Sequence, residues 1–220
     1  IVVIGGDGTL LHSIHEFMHL NIPFYGINSG TVGFLMNHYN KKKDINLFQR
    51  LENLRSTNIH PLKLKAFDIE GKSFSQLAVN EVSIYRNTQH IIKFKIKVDG
   101  QEHITISGDG LIVCTPAGSS AYNFSAGGRI IPLGTNLLSV TPICAFRPRR
   151  WHGALLHSDS VIELVMDQRS AGKVNGVADF NEFYNIERIL ISEDKTHNIK
   201  LLFDNDHSLE ERFIKEQFLY

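Results

Sequence analysis

Asp7 stands among three glycines in the run Ile1-Val2-Val3-Ile4-Gly5-Gly6-Asp7-Gly8-Thr9-Leu10-Leu11. A glycine turn between a strand and a helix brings backbone N–H groups up to a phosphate. Lacking Cβ, Gly5, Gly6 and Gly8 permit positive φ and close approach of a ligand. A carboxylate at such a turn repels a phosphate unless it binds a metal or takes a proton. Asp7 therefore points to chemistry, although an aspartate helix cap explains this turn equally well when it is taken alone.

A second cluster of chemistry-bearing residues follows Gly108-Asp109-Gly110 and the apolar Leu111-Ile112-Val113-Cys114-Thr115. It reads Pro116-Ala117-Gly118-Ser119-Ser120-Ala121-Tyr122-Asn123-Phe124-Ser125-Ala126-Gly127-Gly128. Pro116 and Gly118 predict a turn, Ser119 or Ser120 a helix cap, and Gly127-Gly128 the helix end. Free N–H groups of a short helix favour anions, Tyr122 offers a ring for stacking, and Ser120 and Ser125 offer hydroxyls. A third piece is Asn80-Glu81, a polar pair set in an apolar stretch that reads as one strand over 77–84. Burying such a pair is costly without hydrogen bonds. An Asn amide suits an adenine edge, and a Glu can accept from ribose hydroxyls.

His15-Glu16-Phe17-Met18-His19 matches the H-E-x-x-H pattern of zinc proteases. The histidines lie opposite the apolar stripe Leu10, Leu11, Ile14, Phe17 and Met18, and no third ligand is marked downstream. A solvated helix face is the expectation.

The elements that must position these groups fall into two patterns. Over 1–58 strands and helices alternate, as in a parallel α/β layer. The strand 22–27 leads into Asn28-Ser29-Gly30-Thr31-Val32-Gly33-Phe34-Leu35, and Ile45, Phe48, Leu51 and Leu54 mark a second helix. Neither glycine loop has the spacing of a dinucleotide fingerprint or the ending of a Walker loop. From Leu62 onward the pattern alternates, most clearly in Ile92-Lys93-Phe94-Lys95-Ile96-Lys97-Val98 with a hairpin turn at Asp99-Gly100. Further strands are expected at 62–69, 111–115, 137–141, 161–165, 186–191 and 199–203, giving two packed sheets. Ser208-Leu209-Glu210-Glu211 fits a capping box that opens a final helix. The pattern reads as an α/β layer, 1–58, and a β-sandwich domain, 62–203, and the segment 204–220 with its final helix is expected to dock back on the first domain. Ile1 lies inside a strand and is not Met, so a strand and helix are expected ahead of it.

Lys plus Arg and Asp plus Glu number 23 each in 220 residues, which argues against a general nucleic-acid binder. Cys114 and Cys144 both sit in apolar sequence, which predicts reduced, buried thiols. No apolar run approaches a membrane span and no signal peptide is present, so a soluble, cytoplasmic protein is expected.

Together, Gly5-Gly6-Asp7-Gly8-Thr9, the loop 28–35, Asn80-Glu81 and the run 108–128 resemble the NAD kinase family, in the family's order and along nearly the whole chain. The resemblance implies an α/β domain plus a β-sandwich. It also implies phosphoryl transfer from ATP or polyphosphate to the adenosine-ribose 2′-hydroxyl of NAD. Asp7 would accept the hydroxyl proton, while Gly5, Gly6, Gly8 and Thr9 cradle donor phosphates. Gly8, Asn80, Glu81, Asp109, Ala117, Ser120, Ala121, Tyr122 and Ser125 would contact NAD. A divalent metal, Mg²⁺ by preference and with its ligands unassigned, is implied, as is a homodimer or homotetramer. The alternatives are a lipid or sugar-phosphate kinase sharing the first turn and a non-catalytic NAD(P)-binding module. The chain departs from the family twice. Cys144-Ala145-Phe146-Arg147-Pro148-Arg149-Arg150-Trp151 replaces a Pro-His-x-Leu segment, and Phe180 follows Asp179 where many members have glycine. The arginines suit either a phosphate grip or a basic surface loop pinned by Trp151.

Overall fold

The computed structural model describes residues 1–30, 33–39, 47–205, 214, 217 and 218. The chain divides into two units. The first holds Ile1–His60, Pro132–Gly134 and Lys195–Tyr220; the second holds Pro61–Ile131 and Thr135–Asp194. In chain order the elements begin β1 (Val2–Gly5), α1 (Asp7–Phe17), β2 (Phe24–Asn28), α2 (Leu47–Leu51) and β3 (Leu54–Ile59). There follow β4 (Leu62–Asp68), β5 (Ser73–Ala78), β6 (Glu81–Arg86), β7 (Ile92–Val98), β8 (Gln101–Gly108), β9 (Gly110–Cys114) and α3 (Tyr122–Ser125). The last are β10 (Leu137–Ile143), β11 (Ala154–His157), β12 (Ile162–Met166), β13 (Val174–Ala178), β14 (Asn181–Phe183), β15 (Ile186–Glu193) and β16 (Ile199–Asp204).

In the first unit β-branched residues open β1, and Leu10 and Ile14 bury the inner face of α1. The sheet order is β1-β2-β16-β3. β2 runs parallel to both β1 and β16, and β3 pairs antiparallel with β16. Phe24, Tyr25, Gly26 and Ile27 are all buried, as a central strand requires. Asn37 is fully buried and ties the second glycine loop to this sheet. Its side-chain amide donates to Gly26 O and Leu202 O, and its carbonyl accepts from Asp204 N.

The second unit is a sandwich of two six-stranded sheets, β11-β10-β9-β6-β13-β14 and β5-β4-β15-β12-β7-β8. One apolar core joins them, with Leu62, Leu64, Phe94, Ile106, Leu111, Val113, Leu164 and Ile189 among its members. The alternation in β7 holds: Ile92, Phe94 and Ile96 point inward. On the outer face Lys95 pairs with Glu102 and Lys97 with Glu163. Asp99 and Gly100 both take positive φ, the geometry of a two-residue hairpin turn with matched twist.

Several sequence expectations are corrected. Helical spacing through Leu54 is broken, because Leu54 starts β3, whose partner β16 is about 140 residues away in the chain. Ile45 lies outside the described residues, as do Thr31, Val32 and the capping box at 208–211. The strand 199–203, expected in the sandwich, is β16 of the first unit, so the second unit ends at Asp194 rather than 203. The single strand over 77–84 is two strands: β5 and β6 belong to different sheets, and the chain crosses between them at Val79-Asn80. Cys114 is buried as expected, but Cys144 is exposed; both thiols are free.

Candidate active site

One cluster, in the first unit, is the turn between β1 and α1. Gly6 is the helix N-cap and Asp7 its first residue. By helix geometry the N–H groups of Asp7, Gly8 and Thr9 lack intrahelical acceptors, and the first internal bond runs from Leu10 N to Gly6 O. None of Gly5, Gly6 and Gly8 takes positive φ, which corrects the conformational reason given for them. Space is the reason instead. A β-carbon on Gly5 would strike the Thr9 side chain, and Gly6 and Gly8 face open space. Asp7 does not cap its own helix. Its carboxylate accepts the Phe34 N–H at 2.7 Å and the Leu35 N–H at 3.0 Å, from the second glycine loop. The two glycine loops are thereby one device, with the carboxylate fixed at the head of α1.

A second cluster, in the second unit, is built around the crossover at Asn80. Thr115 N donates to Asn80 O, and Thr115 Oγ1 donates to Val79 O and accepts from Gly118 N. Gly118 lies against the Asn80 backbone so closely that a β-carbon there would fall 2.5 Å from Asn80 Cα. Asn80-Glu81 and the run 116–128 therefore meet. Ala117 is buried, Ser120 and Ala121 are half-buried, and Tyr122 and Ser125 are exposed. Tyr122 presents 45% of its surface, enough for a ring face to stack. The helix is capped at Ala121 without a side-chain bond, so neither Ser119 nor Ser120 caps it. Ser119 is buried instead: its hydroxyl donates to Pro116 O and accepts from Ile131 N. Asn123 pins the turn from inside. Its amide donates to Ser119 O and Arg129 O and its carbonyl accepts from Thr141 Oγ1.

Two buried atoms in this cluster, Asn80 Oδ1 and Glu81 Oε2, have no hydrogen-bond partner among the described residues. Such atoms are costly in a fold unless a water or a ligand pairs with them. Burial, and then the nearby Asp179 charge, push the Glu81 carboxyl up to about 8. Asp109 precedes β9 and accepts from Arg86 Nε at 2.7 Å; both side chains are about one-third exposed, so this ion pair is partly screened. In the arginine loop the Arg147 and Arg149 guanidiniums stand 5.7 and 5.1 Å from the Phe146 ring centre. Trp151 packs against the sandwich core, so it does pin that loop.

Among the described residues no three His, Cys, Asp or Glu side chains gather as a metal cage, and His15 and His19 are part of none. A Mg²⁺ carried by donor phosphates needs no such cage, because it keeps waters and takes at most one or two carboxylates. Asp7 at a phosphate-competent turn fits that demand.

The sequence profile of the ATP-NAD kinase N-terminal domain matches residues 1–55, and that of the ATP-NAD kinase C-terminal domain matches 79–175. NAD kinase of Rickettsia canadensis (strain McKiel) is 53% identical over 219 residues, covering 99% of this chain and 85% of its own. The chain belongs to the NAD kinase family. NAD kinase of Rickettsia prowazekii (strain Madrid E) is 52% identical with the same coverage. Yeast NADH kinase, solved with NADH, superposes with a TM-score of 0.86 at 25% identity; the match covers all of this chain and 65% of that one. An NAD kinase from Archaeoglobus fulgidus, solved with ATP, gives 0.74 at 26% identity, covering 98% and 80%. The two-domain fold class of α/β layer and β-sandwich is that of these NAD kinases.

The sequence did not single out Arg86, Arg129 or Ile131, and it marked Asp179 only as a departure from the family pattern; its role emerges only in the fold. Its signal was the Asp179-Phe180 pair, where many members of the family carry Asp-Gly. Positive φ falls on Asp179 and not on Phe180, so this turn has no need of glycine at 180.

Proposed function

We propose that the chain phosphorylates the adenosine-ribose 2′-hydroxyl of NAD with ATP as donor, giving NADP and ADP. The observation that carries this is the Asp7 carboxylate, fixed by the Phe34 and Leu35 amides at the head of an open glycine turn. As the new 2′-oxygen to phosphorus bond forms and the donor's bridging bond breaks, the hydroxyl proton passes to Asp7. Gly5, Gly6, Gly8 and Thr9 hold donor phosphates by their backbone N–H groups and the Thr9 hydroxyl. A divalent ion, Mg²⁺ in this reading, neutralises charge on the donor phosphates.

Asn80 and Glu81 supply the polar edge that receives the acceptor nucleotide, which gives the orphaned Asn80 Oδ1 and Glu81 Oε2 their partners. Tyr122 offers a stacking face, and Gly8, Asp109, Ala117, Ser120, Ala121 and Ser125 complete the NAD contacts. A lipid or sugar-phosphate kinase leaves Asn80-Glu81 and the run 116–128 unexplained, and a non-catalytic module leaves Asp7 unexplained. The enzyme works in the cytoplasm as a homodimer or homotetramer, which light scattering tests directly. No helix among the described residues is long and apolar enough to cross a membrane.

A coupled assay with NAD, Mg²⁺ and either ATP or polyphosphate, read by an NADP-specific dehydrogenase, tests the reaction and chooses the donor. Signal with ATP supports the proposal. NAD binding without NADP from either donor overturns it in favour of a non-catalytic module.

A further inference from the structure

The turn between β13 and β14 is two residues long, Asp179-Phe180, with Ala178 paired to Asn181. Asp179 takes φ 54° there, which turns its side chain out of the hairpin and toward the crossover between β5 and β6. Its carboxylate collects three successive backbone amides. Val79 N donates to Oδ2 at 2.6 Å, and Asn80 N and Glu81 N donate to Oδ1 at 2.9 and 3.1 Å. Asp179 N in turn donates to Glu81 O at 3.1 Å. A chain leaving one sheet for another has no ladder partner for its amides, and buried amides must be paired. One side chain does this for the whole crossover.

We propose that Asp179 is a positioning residue for Asn80 and Glu81, holding both side chains aimed at the NAD acceptor. The proposal rests on the NAD kinase reading above. With the amides of residues 79–81 taken up by Asp179, Asn80 Oδ1 and Glu81 Oε2 do not pair with the backbone of their own crossover. Asn80 Oδ1 and Glu81 Oε2 therefore stay buried and open to a ligand. The clamp spans about a hundred residues of sequence, so the shape of the nucleotide edge is set by the β13–β14 hairpin.

The same carboxylate acts on Glu81 through its charge. The titratable groups facing Glu81 are Asp179, from the β13–β14 turn, and the Cys114 thiol, opposite it on β9. Burial is the first cause that raises the Glu81 carboxyl, and the Asp179 charge is the second. Asp179→Asn keeps an oxygen for the amides but removes the charge. Burial then acts alone, and Glu81 ionises at a lower pH than in the wild type.

The test compares full-length wild type, Asp179→Asn and Glu81→Gln by steady-state kinetics between about pH 6 and 9.5. The wild-type KM for NAD is expected to show an inflection near 8 that Glu81→Gln lacks. In Asp179→Asn that inflection moves to lower pH, and the KM for NAD rises about tenfold or more while the KM for ATP changes less than about twofold. An NAD KM within about twofold of wild type, or an unmoved inflection, overturns the proposal. Should Asp179→Asn not fold, Asp179→Glu keeps the charge and displaces the oxygens. It is expected to raise the NAD KM with the inflection in place, and an unchanged KM overturns the proposal. Amide hydrogen exchange at residues 79–81 needs no activity. Faster exchange in either variant supports the clamp, and wild-type protection refutes it even if the wild-type enzyme proves not to make NADP.

Discussion

The Phe34 amide donates to Asp7 Oδ2 at 2.7 Å, across 27 residues of sequence. With the Leu35 amide on Oδ1, it fixes the plane of the carboxylate and its distance from the glycine turn. A carboxylate held by backbone has little rotamer freedom left to lose, which suits the general-base role proposed for Asp7.

Asp7→Asn preserves size and one acceptor oxygen but cannot take the hydroxyl proton. The turnover of NAD is expected to fall by about 100-fold or more, with the Kd for NAD within about twofold. Coupled assay and calorimetric titration check the two quantities. Turnover near that of the wild type removes Asp7 from the proton transfer.

Glu81 links stability to pH. Its carboxyl is raised in the folded state, from 4.5 to about 8, so the native chain binds the proton more tightly than the unfolded chain. Its contribution to stability is therefore full below about 4.5, falls as pH rises through that window, and is lost above about 8. The loss is on the order of a few kcal/mol, since one unit corresponds to about 1.4 kcal/mol. Glu81→Gln should flatten this slope and unfold at higher temperature than the wild type at pH near 9. Thermal melts of both proteins across the range check it.

Asn123 satisfies three partners in a buried network, so truncating it leaves Ser119 O, Arg129 O and Thr141 Oγ1 short of bonds. Asn123→Ala is expected to cost about 2–4 kcal/mol in a urea melt. The KM for NAD should rise as well, because the loop carrying Tyr122 loses its internal anchor.

Gly118 is held to the Asn80 backbone. Gly118→Ala must push the two segments apart and raise the KM for NAD about tenfold, with the KM for ATP unmoved. Steady-state kinetics with each substrate varied in turn decide this.

Cys144 is exposed and Cys114 is buried beside Glu81, where burial and that carboxyl push the thiol up. A thiol reagent should modify one cysteine in the native chain and two after denaturation, and Cys144→Ser should abolish the native reaction.

The sequence carried those features that local rules decide. Asp99-Gly100 announced its hairpin, because both residues tolerate positive φ. Lys93, Lys95 and Lys97 announced a one-sided strand. Leu77 to Ile84 hid a crossover, since Val79-Asn80 contains no glycine or proline and its apolar flanks look continuous. What pairs the amides of that crossover is Asp179, a side chain about a hundred residues away that leaves no trace in the local sequence. Leu54 was hidden similarly: its helical spacing is real, yet pairing with β16 overrides it. For the candidate site, residue types were readable but not the reasons for them. Asp7 looked like a cap and is held by another loop; Ser119 looked like a cap and is an internal brace.

The position of β16 has a further consequence. It is hydrogen-bonded to β2 on one side and β3 on the other, although both precede it by more than a hundred residues in the chain. During synthesis every strand of the sandwich, through β15, leaves the ribosome before β16 does. Five residues separate the end of β15 from the start of β16, and the sheet behind Asp7 waits for residues 199–204. Translation thus completes the sheet behind Asp7 last of the three.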